Sequence, residues 1–377
     1  MKGIYIAQIR GEDDSVGAVK KIYDQINAFR KRGYEMQLIN FKPADSGLRK
    51  TFIGKGICAS IPFTYIFTKY KYSKTVEGVG FYYIRFEAAD YPFRKFLEDL
   101  RKNNPNAKII IEFPDFPNTY WMNSIFHIGI RLKDYNMRRH YKKYVDRFAI
   151  WNDDITEIYG VPTVKFFNGI DVDRIPVRRI EEAISGEIHV IGVSTMFAFH
   201  GFDRFIKGMI YYYERSREDY VKLYFHVVGD GPGPELDKYR QMVIGSKAEQ
   251  YVIFEGKQSG EKLDSIFNQC DLAVGSLAMH RIGYTVASSL KTREYLARGI
   301  PMIIGCPVDI LHGTDFEYVL EFPADDSDID IDKVVDFYKN KRLDEDREKI
   351  IGYIRQFAAE HCDMQIAMSK VMQYIEG

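Results

Sequence analysis

The sequence predicts an α/β protein built as two doubly wound, Rossmann-like domains, and three observations carry that expectation. Short apolar runs alternate with amphipathic stretches twice over along 377 residues, a length beyond one ordinary core. Many of the runs are apolar at consecutive positions, as strands buried on both faces of a parallel sheet are. A polar segment with Pro and Gly, "DVDRIPVRRIEEAISGE" (171–187), separates the two series.

In the first series the strand-like runs are "GIYIAQI" (3–9), "YEMQLIN" (34–40), "GFYYIRF" (80–86), "AKIIIEF" (107–113), "RFAIW" (147–151) and "VKFFN" (164–168). Between the first two, "VGAVKKIYDQINAFRKR" (16–32) has the i, i+3, i+4 apolar spacing of a helix lying on a sheet. In the second series the runs are 187–195, 222–230, 251–256, 272–277 and 301–305, with helices expected at 203–215, 234–245, 260–269 and 289–298. The last of these, "SLKTREYLARG", is followed by Pro301, so Gly299 is expected to cap it and Pro301 to stop it. Residues 343–375 read as two helices. The expected division is a first domain over 1–178, a second over 179–345 and a helical tail over 346–377 that closes back on the first. Ligands of such sheets lie beyond the carboxyl ends of the strands.

Composition narrows the class. Hydrophobic residues make up 46% and charged residues 28%, the profile of a globular protein rather than a disordered one. The four cysteines include no C-x-x-C pair, so buried thiols in a reducing compartment are expected, with no disulfide framework or metal knuckle. The first residues already read as a strand and no apolar run reaches membrane-spanning length, which points to the cytoplasm. The net charge of zero hides a split: residues 1–180 hold 31 Lys and Arg against 20 acids, and the remainder hold 22 against 33. Two basic stretches, 65–74 and 131–147, interleave Lys and Arg with Tyr or Phe. They are either solvated faces or a surface for lipid phosphates at the inner face of a membrane. Nucleic acid is not an expected partner, because no recognition motif accompanies a pI near 7.

Five motifs in order give the sequence a family likeness. "FFNGIDVDRI" (166–175) is followed by "GVSTMFAFHGFDRFIKGM" (192–209) and "HVVGDGPGPELDKY" (226–239). "FEGKQSGEKLDSIFNQCDLAVGSL" (254–277) and "SLKTREYLARGIPMII" (289–304) complete the series. Together they resemble the second half of a GT-B fold glycosyltransferase, within it glycosyltransferase family 4 of bacterial capsule and exopolysaccharide assembly. Residues 160–305 carry the likeness; residues 1–160 share only the layout. The resemblance implies two domains facing a central cleft, the first for an acceptor and the second for a nucleotide sugar. It implies retaining transfer from a UDP- or GDP-sugar to a glycan or polyprenyl-diphosphate-linked acceptor, with no cofactor and no metal, in the cytoplasm or peripheral on the inner membrane.

The same resemblance assigns residues. Glu294 would accept hydrogen bonds from the donor ribose, since one carboxylate can take both hydroxyls of a diol. Arg204, Lys291, Lys262 and His200 would neutralise the departing diphosphate, and preorganised cations are the main device for such a step. Gly256 and Lys257 would neighbour the base, and Gly229 and Gly231 would bring backbone close to the ligand. Asn168, Gly169, Ser289, Leu290 and His280 complete the donor set. On the acceptor side stand Gly17, Lys20, Lys21, Asp115, Tyr120 and His127.

The sequence also departs from the family. The acid usually found eight positions before Glu294 is Val286, and the usual Lys before Gly201 is His200. Two other readings therefore stay open: a nucleotide-sugar epimerase on the same fold, and a catalytically silent subunit that binds nucleotide sugar.

Overall fold

The computed structural model describes residues 1–7, 9, 17–40, 42–43, 70–71, 78–85, 91–113, 135–151, 155–179, 186–215, 220–343 and 345–377. Its contacts divide into two units, Met1–Asp171 with Met364–Gly377 and Val172–Asp363.

In the first unit the chain runs β1 (Lys2–Ala7), α1 (Gly17–Lys31), β2 (Glu35–Asn40), then the short antiparallel pair β3 (Lys42–Pro43) and β4 (Tyr70–Lys71). β5 (Phe81–Arg85), α2 (Tyr91–Asn103), β6 (Lys108–Glu112), β7 (Arg147–Ile150), β8 (Glu157–Ile158) and β9 (Val161–Lys165) follow. The main sheet is ordered β2-β1-β5-β6-β7-β9-β8, parallel except for the β8–β9 pair. Successive strand residues serve opposite faces. Ile4, Ile6, Tyr82 and Ile84 meet Phe93, Phe96, Leu97 and Leu100 of α2 on one face. Tyr5, Phe81 and Tyr83 meet Ile22, Ile26 and Phe29 of α1 on the other. Tyr141, which the sequence groups with a basic surface, is a core residue edge-on to Phe148. The helical periodicity that exposes Lys142 and Lys143 turns Tyr141 inward.

The second unit contains β10 (Glu187–Val193), α3 (Phe202–Glu214), β11 (Lys222–Val228), α4 (Glu235–Val243), β12 (Val252–Gly256), α5 (Gly260–Gln269) and β13 (Leu272–Val274). It continues through α6 (Leu290–Arg298), β14 (Met302–Ile304), β15 (Val319–Glu321), α7 (Ile331–Asn340) and α8 (Arg347–His361). Its sheet is wholly parallel, in the order β12-β11-β10-β13-β14-β15. The expected strands and helices of this half are present. The half-exposed edge strand β15 was not visible as an apolar run. The end of the chain holds three helices: α8 belongs to the second unit, while α9 (Met364–Ala367) and α10 (Ser369–Glu376) pack into the first.

Strand order reverses between β1 and β5 in the first sheet and between β10 and β13 in the second. Helices leaving adjacent strands diverge to opposite faces there and open a crevice at the carboxyl ends. Among the described residues no helix is long and apolar enough to cross a membrane.

Candidate active site

The second reversal point is built by two short polar turns and one helix. After β10 the chain makes a 3-10 turn, Ala198–His200, that ends at Gly201 with φ 69°. After β13 it passes Ser276 into a second 3-10 turn, Met279–Ile282. Leu277 N–H donates to the His200 carbonyl at 2.9 Å, tying the two together. Opposite them α6 begins at Ser289, whose side chain accepts from Thr292 N–H, and ends at Gly299 with φ 75°. A side chain at Gly299 would also strike the backbone of Ile351 in α8, so both conformation and contact demand glycine. Tyr295 turns inward and its hydroxyl accepts from Val193 N–H at 3.0 Å, anchoring the helix on β10.

That frame delivers Lys291 to the crevice. Its Nζ stands 3.0 Å from His200 Nδ1, and the same ring nitrogen stands 3.2 Å from Ser276 Oγ. The ammonium also lies 5.2 Å from the centre of the Phe202 ring. Among the described residues no carboxylate pairs with Lys291. Burial drives its pKa down to about 7, because a cation without a counter-charge loses more hydration than it regains. Burial first, and the Lys291 charge second, push His200 down to about 2. The imidazole is therefore neutral, and a neutral ring accepting from an ammonium through Nδ1 keeps its proton on Nε2. An incompletely neutralised cation beside a fixed N–H donor has the chemistry to receive an anion.

Around this pair the other expected residues have varied employment. Arg204 is wholly buried, and its guanidinium donates to the carbonyls of Leu277, Ser327 (2.6 Å) and Pro323 (3.1 Å) and to Asp325 (3.4 Å). That is a strut holding the 323–327 loop to the core. Arg281 is held by Asp203 at 2.8 Å and 2.9 Å and by Asp326 at 2.7 Å. His280 Nε2 is 3.2 Å from Asp326 Oδ1, and its Nδ1 is buried without a hydrogen-bond partner. Glu294 lies one turn beyond Lys291 on α6, half-buried, with Arg298 Nη2 donating to it at 3.2 Å. Leu290 opens the same helix. Lys262, in the first turn of α5, and Lys257, just after β12, are exposed. Gly256 between them has φ 68°.

Gly229 and Gly231 make their close approach to the chain itself. A side chain at Gly229, φ 133°, would overlap the Ser194 carbonyl, and one at Gly231 would meet the Met196 carbonyl at 2.6 Å. The loops after β10 and β11 pack backbone to backbone, and the glycines permit it.

At the first unit's reversal point the polar residues gather around one buried acid. Glu112, at the end of β6, is fully buried; its Oε2 accepts from Tyr83 at 2.7 Å and Gln25 at 2.8 Å. Lys21 Nζ lies 3.3 Å from Glu112 Oε1 and donates to Asn168 Oδ1 at 2.7 Å, while Arg85 Nε lies 3.9 Å from the same carboxylate. Burial alone would raise the Glu112 pKa; the Lys21 and Arg85 charges with the two donated hydrogen bonds outweigh it and hold the acid below its usual value. Lys21 and Asn168 are thus joined to each other. Gly169 is buried, Gly17 starts α1 in the open, and Lys20 is half-buried. Asp115, Tyr120 and His127 lie outside the described residues.

Two features were not legible as site components. Ser276 is the second partner of His200, and its only trace is a small polar residue just past a buried strand. Arg293, fully buried, meets Asp309 at 2.7 Å and 2.8 Å, while Ser288 donates to the same acid at 2.7 Å. This bridge pins the segment before α6 to the loop after β14.

No protein-family model and no curated protein sequence matches this chain. Solved structures do. The whole chain aligns with a glycosyltransferase from Rickettsia africae (TM-score 0.61, 11% identity, 97% of that chain). It aligns equally fully with an alpha-glucosyltransferase in complex with UDP and a 13-mer DNA (TM-score 0.60, 12% identity, 99% of that chain). The trehalose-6-phosphate synthase OtsA is similar over the whole chain as well (TM-score 0.59, 11% identity, 99% of that chain). At such identities the likeness is one of architecture, and the architecture of this chain is the GT-B fold of these glycosyltransferases.

Proposed function

We propose that this protein is a retaining glycosyltransferase that uses a nucleotide-diphosphate sugar. The observation that carries the reading is the Lys291–His200 pair: a cation with no carboxylate partner among the described residues, at the strand reversal of the second unit, where doubly wound sheets bind phosphate-bearing ligands. Lys291 and the Nε2–H of His200 receive the diphosphate, assisted by the positive end of the α6 dipole. Glu294 takes the ribose hydroxyls, and the turn at Gly256 and Lys257 neighbours the base. In the transfer the bond from the sugar's anomeric carbon to the diphosphate oxygen breaks, and its electron pair stays on the phosphate. The acceptor hydroxyl bonds to the anomeric carbon on the same face and gives its proton to a phosphate oxygen. Charge builds on the diphosphate, and Lys291 stabilises it there. In this reading no metal is required.

The acceptor is a glycan on a polyprenyl diphosphate, in bacterial surface-polysaccharide assembly. Support comes from the basic first half of the sequence and from one stretch of it that exposes Arg139, Lys142 and Lys143 as well as Tyr135, which is 70% exposed. Cations around an aromatic side chain suit an anionic membrane surface. Incubating the protein with UDP- and GDP-sugars and a lipid-linked glycan, with EDTA, tests the whole reading. Free nucleotide diphosphate and extended lipid-linked product are expected. Sugar isomerisation without release of nucleotide would instead indicate an epimerase, and tight donor binding without turnover a silent subunit.

A further inference from the structure

We propose that Lys291 and His200 act as a proton-linked clamp: the pair holds one proton fewer in the free protein than with a diphosphate bound, so nucleotide-sugar binding draws a proton from solvent. This rests on the donor-site reading above and adds a property to it that the reading does not require.

The geometry supplies the reason. Lys291 Nζ faces a neutral ring nitrogen and the Phe202 ring, with Ser276 beyond the imidazole. The charged groups on the elements packed around it are already engaged. On the Ala198–His200 turn the titratable group is His200 itself. On α3, Asp203 holds Arg281, and Arg204 is bound to carbonyls and Asp325. On the Met279–Ile282 turn, Arg281 is bound to Asp203 and Asp326, and His280 to Asp326. On α6, Arg293 is bound to Asp309 and Glu294 to Arg298. Nothing described offers Lys291 a negative charge, and a half-buried ammonium in that position releases its proton readily. It titrates near neutrality, at about 7. A bound diphosphate provides the missing counter-charge and returns the lysine to its ordinary alkaline range.

The sign follows. Below the free-state value both states carry the proton and affinity does not change with pH. Above it, only the bound state carries the proton, so affinity falls as pH rises, by about tenfold per unit for one proton. In the free protein His200 is neutral, held far below its ordinary value first by burial and then by the Lys291 charge, so Lys291 is the group that titrates there. The diphosphate ester of a nucleotide sugar has no titrating proton in this range, so any uptake belongs to the protein.

The test is calorimetric titration of the full chain with UDP-glucose and with GDP-mannose from about pH 6 to 8.5, repeated at the upper pH in two buffers of different ionisation enthalpy. The wild type is expected to bind with constant affinity at the acid end. Affinity should then weaken about tenfold per unit towards the alkaline end, with close to one proton taken up. Lys291→Arg, which cannot deprotonate, is expected to lose both the slope and the uptake. Binding that is flat in pH and independent of buffer overturns the proton link and leaves the donor site standing. Absence of binding by both nucleotide sugars at every pH overturns the donor-site reading and the proton link together.

Discussion

The two units place cations at the same point of the same architecture and treat them oppositely. At the first reversal point Lys21 and Arg85 converge on Glu112, which stays ionised in full burial because two charges and two hydrogen bonds hold it. At the second, Lys291 meets a neutral imidazole and an aromatic ring, and no carboxylate among the described residues. A buried charge costs several kcal/mol unless it is paired. The first unit meets that cost internally, so its cluster is cement. The second leaves it unmet, and a ligand can meet it. The position of a basic residue in the fold does not make a binding site; the absence of a partner does.

The largest effect that could break this contrast lies in the first unit. Glu112→Gln leaves Lys21 and Arg85 without their carboxylate, and about 3–5 kcal/mol of stability should be lost, measured by urea unfolding of the full chain. Because the folded-state pKa of Glu112 is depressed, its contribution is present above the unfolded value and disappears as pH falls through the folded one. An unfolding curve unchanged by the substitution would make the cluster dispensable and erase the contrast.

In the second unit Glu294→Gln keeps the shape of the side chain and weakens its acceptance from a diol. Nucleotide-sugar affinity should fall by about 1–3 kcal/mol. Calorimetry showing no change would remove Glu294 from the donor site.

The free protein should also betray a lysine that no described carboxylate neutralises. The folded value of about 7 lies below the ordinary 10.5, so the unfolded chain binds more protons between the two, and stability rises with pH across that window. Lys291→Met removes the penalty. The variant should melt higher than the wild type near neutral pH, by on the order of 2–4 °C, with the gap closing towards the alkaline end. A gap that does not change with pH would mean that Lys291 carries no such penalty.

Smallest is the surface term. Replacing Arg139, Lys142 and Lys143 with Glu should weaken sedimentation with anionic liposomes by about 1 kcal/mol per residue and leave nucleotide-sugar binding intact. A wild type that does not sediment even at low salt would reduce this basic face to a solvated one.

The sequence disclosed the second unit far better than its chemistry. Local signals sufficed for its strands other than β15 and for α6, since Ser289, Gly299 and Pro301 mark that helix within a dozen residues. Lys291 was legible as a candidate cation for the same reason. His200 is a candidate by the family resemblance, but its contact with Lys291 was not legible, because the two lie 91 residues apart and only the sheet order brings them together. Arg204 makes the same point. A helix-start arginine gives no local sign of its acceptors, which are carbonyls 73 to 123 residues later. At Gly229 and Gly231 of "VGDGPG" the space a side chain would fill is taken by the neighbouring loop. Long-range pairing, not composition, decides which polar residues remain available.

The most direct measurement is calorimetric titration of UDP-glucose and GDP-mannose into the wild type and Lys291→Met at about pH 6, where the lysine is mostly charged in the free state as well as the bound one. At least one nucleotide sugar is expected to bind the wild type, and the same ligand should bind Lys291→Met about 10- to 100-fold more weakly, the worth of one charged hydrogen bond. Equal binding by the two proteins would contradict the assignment of the unpaired cation as the diphosphate receptor.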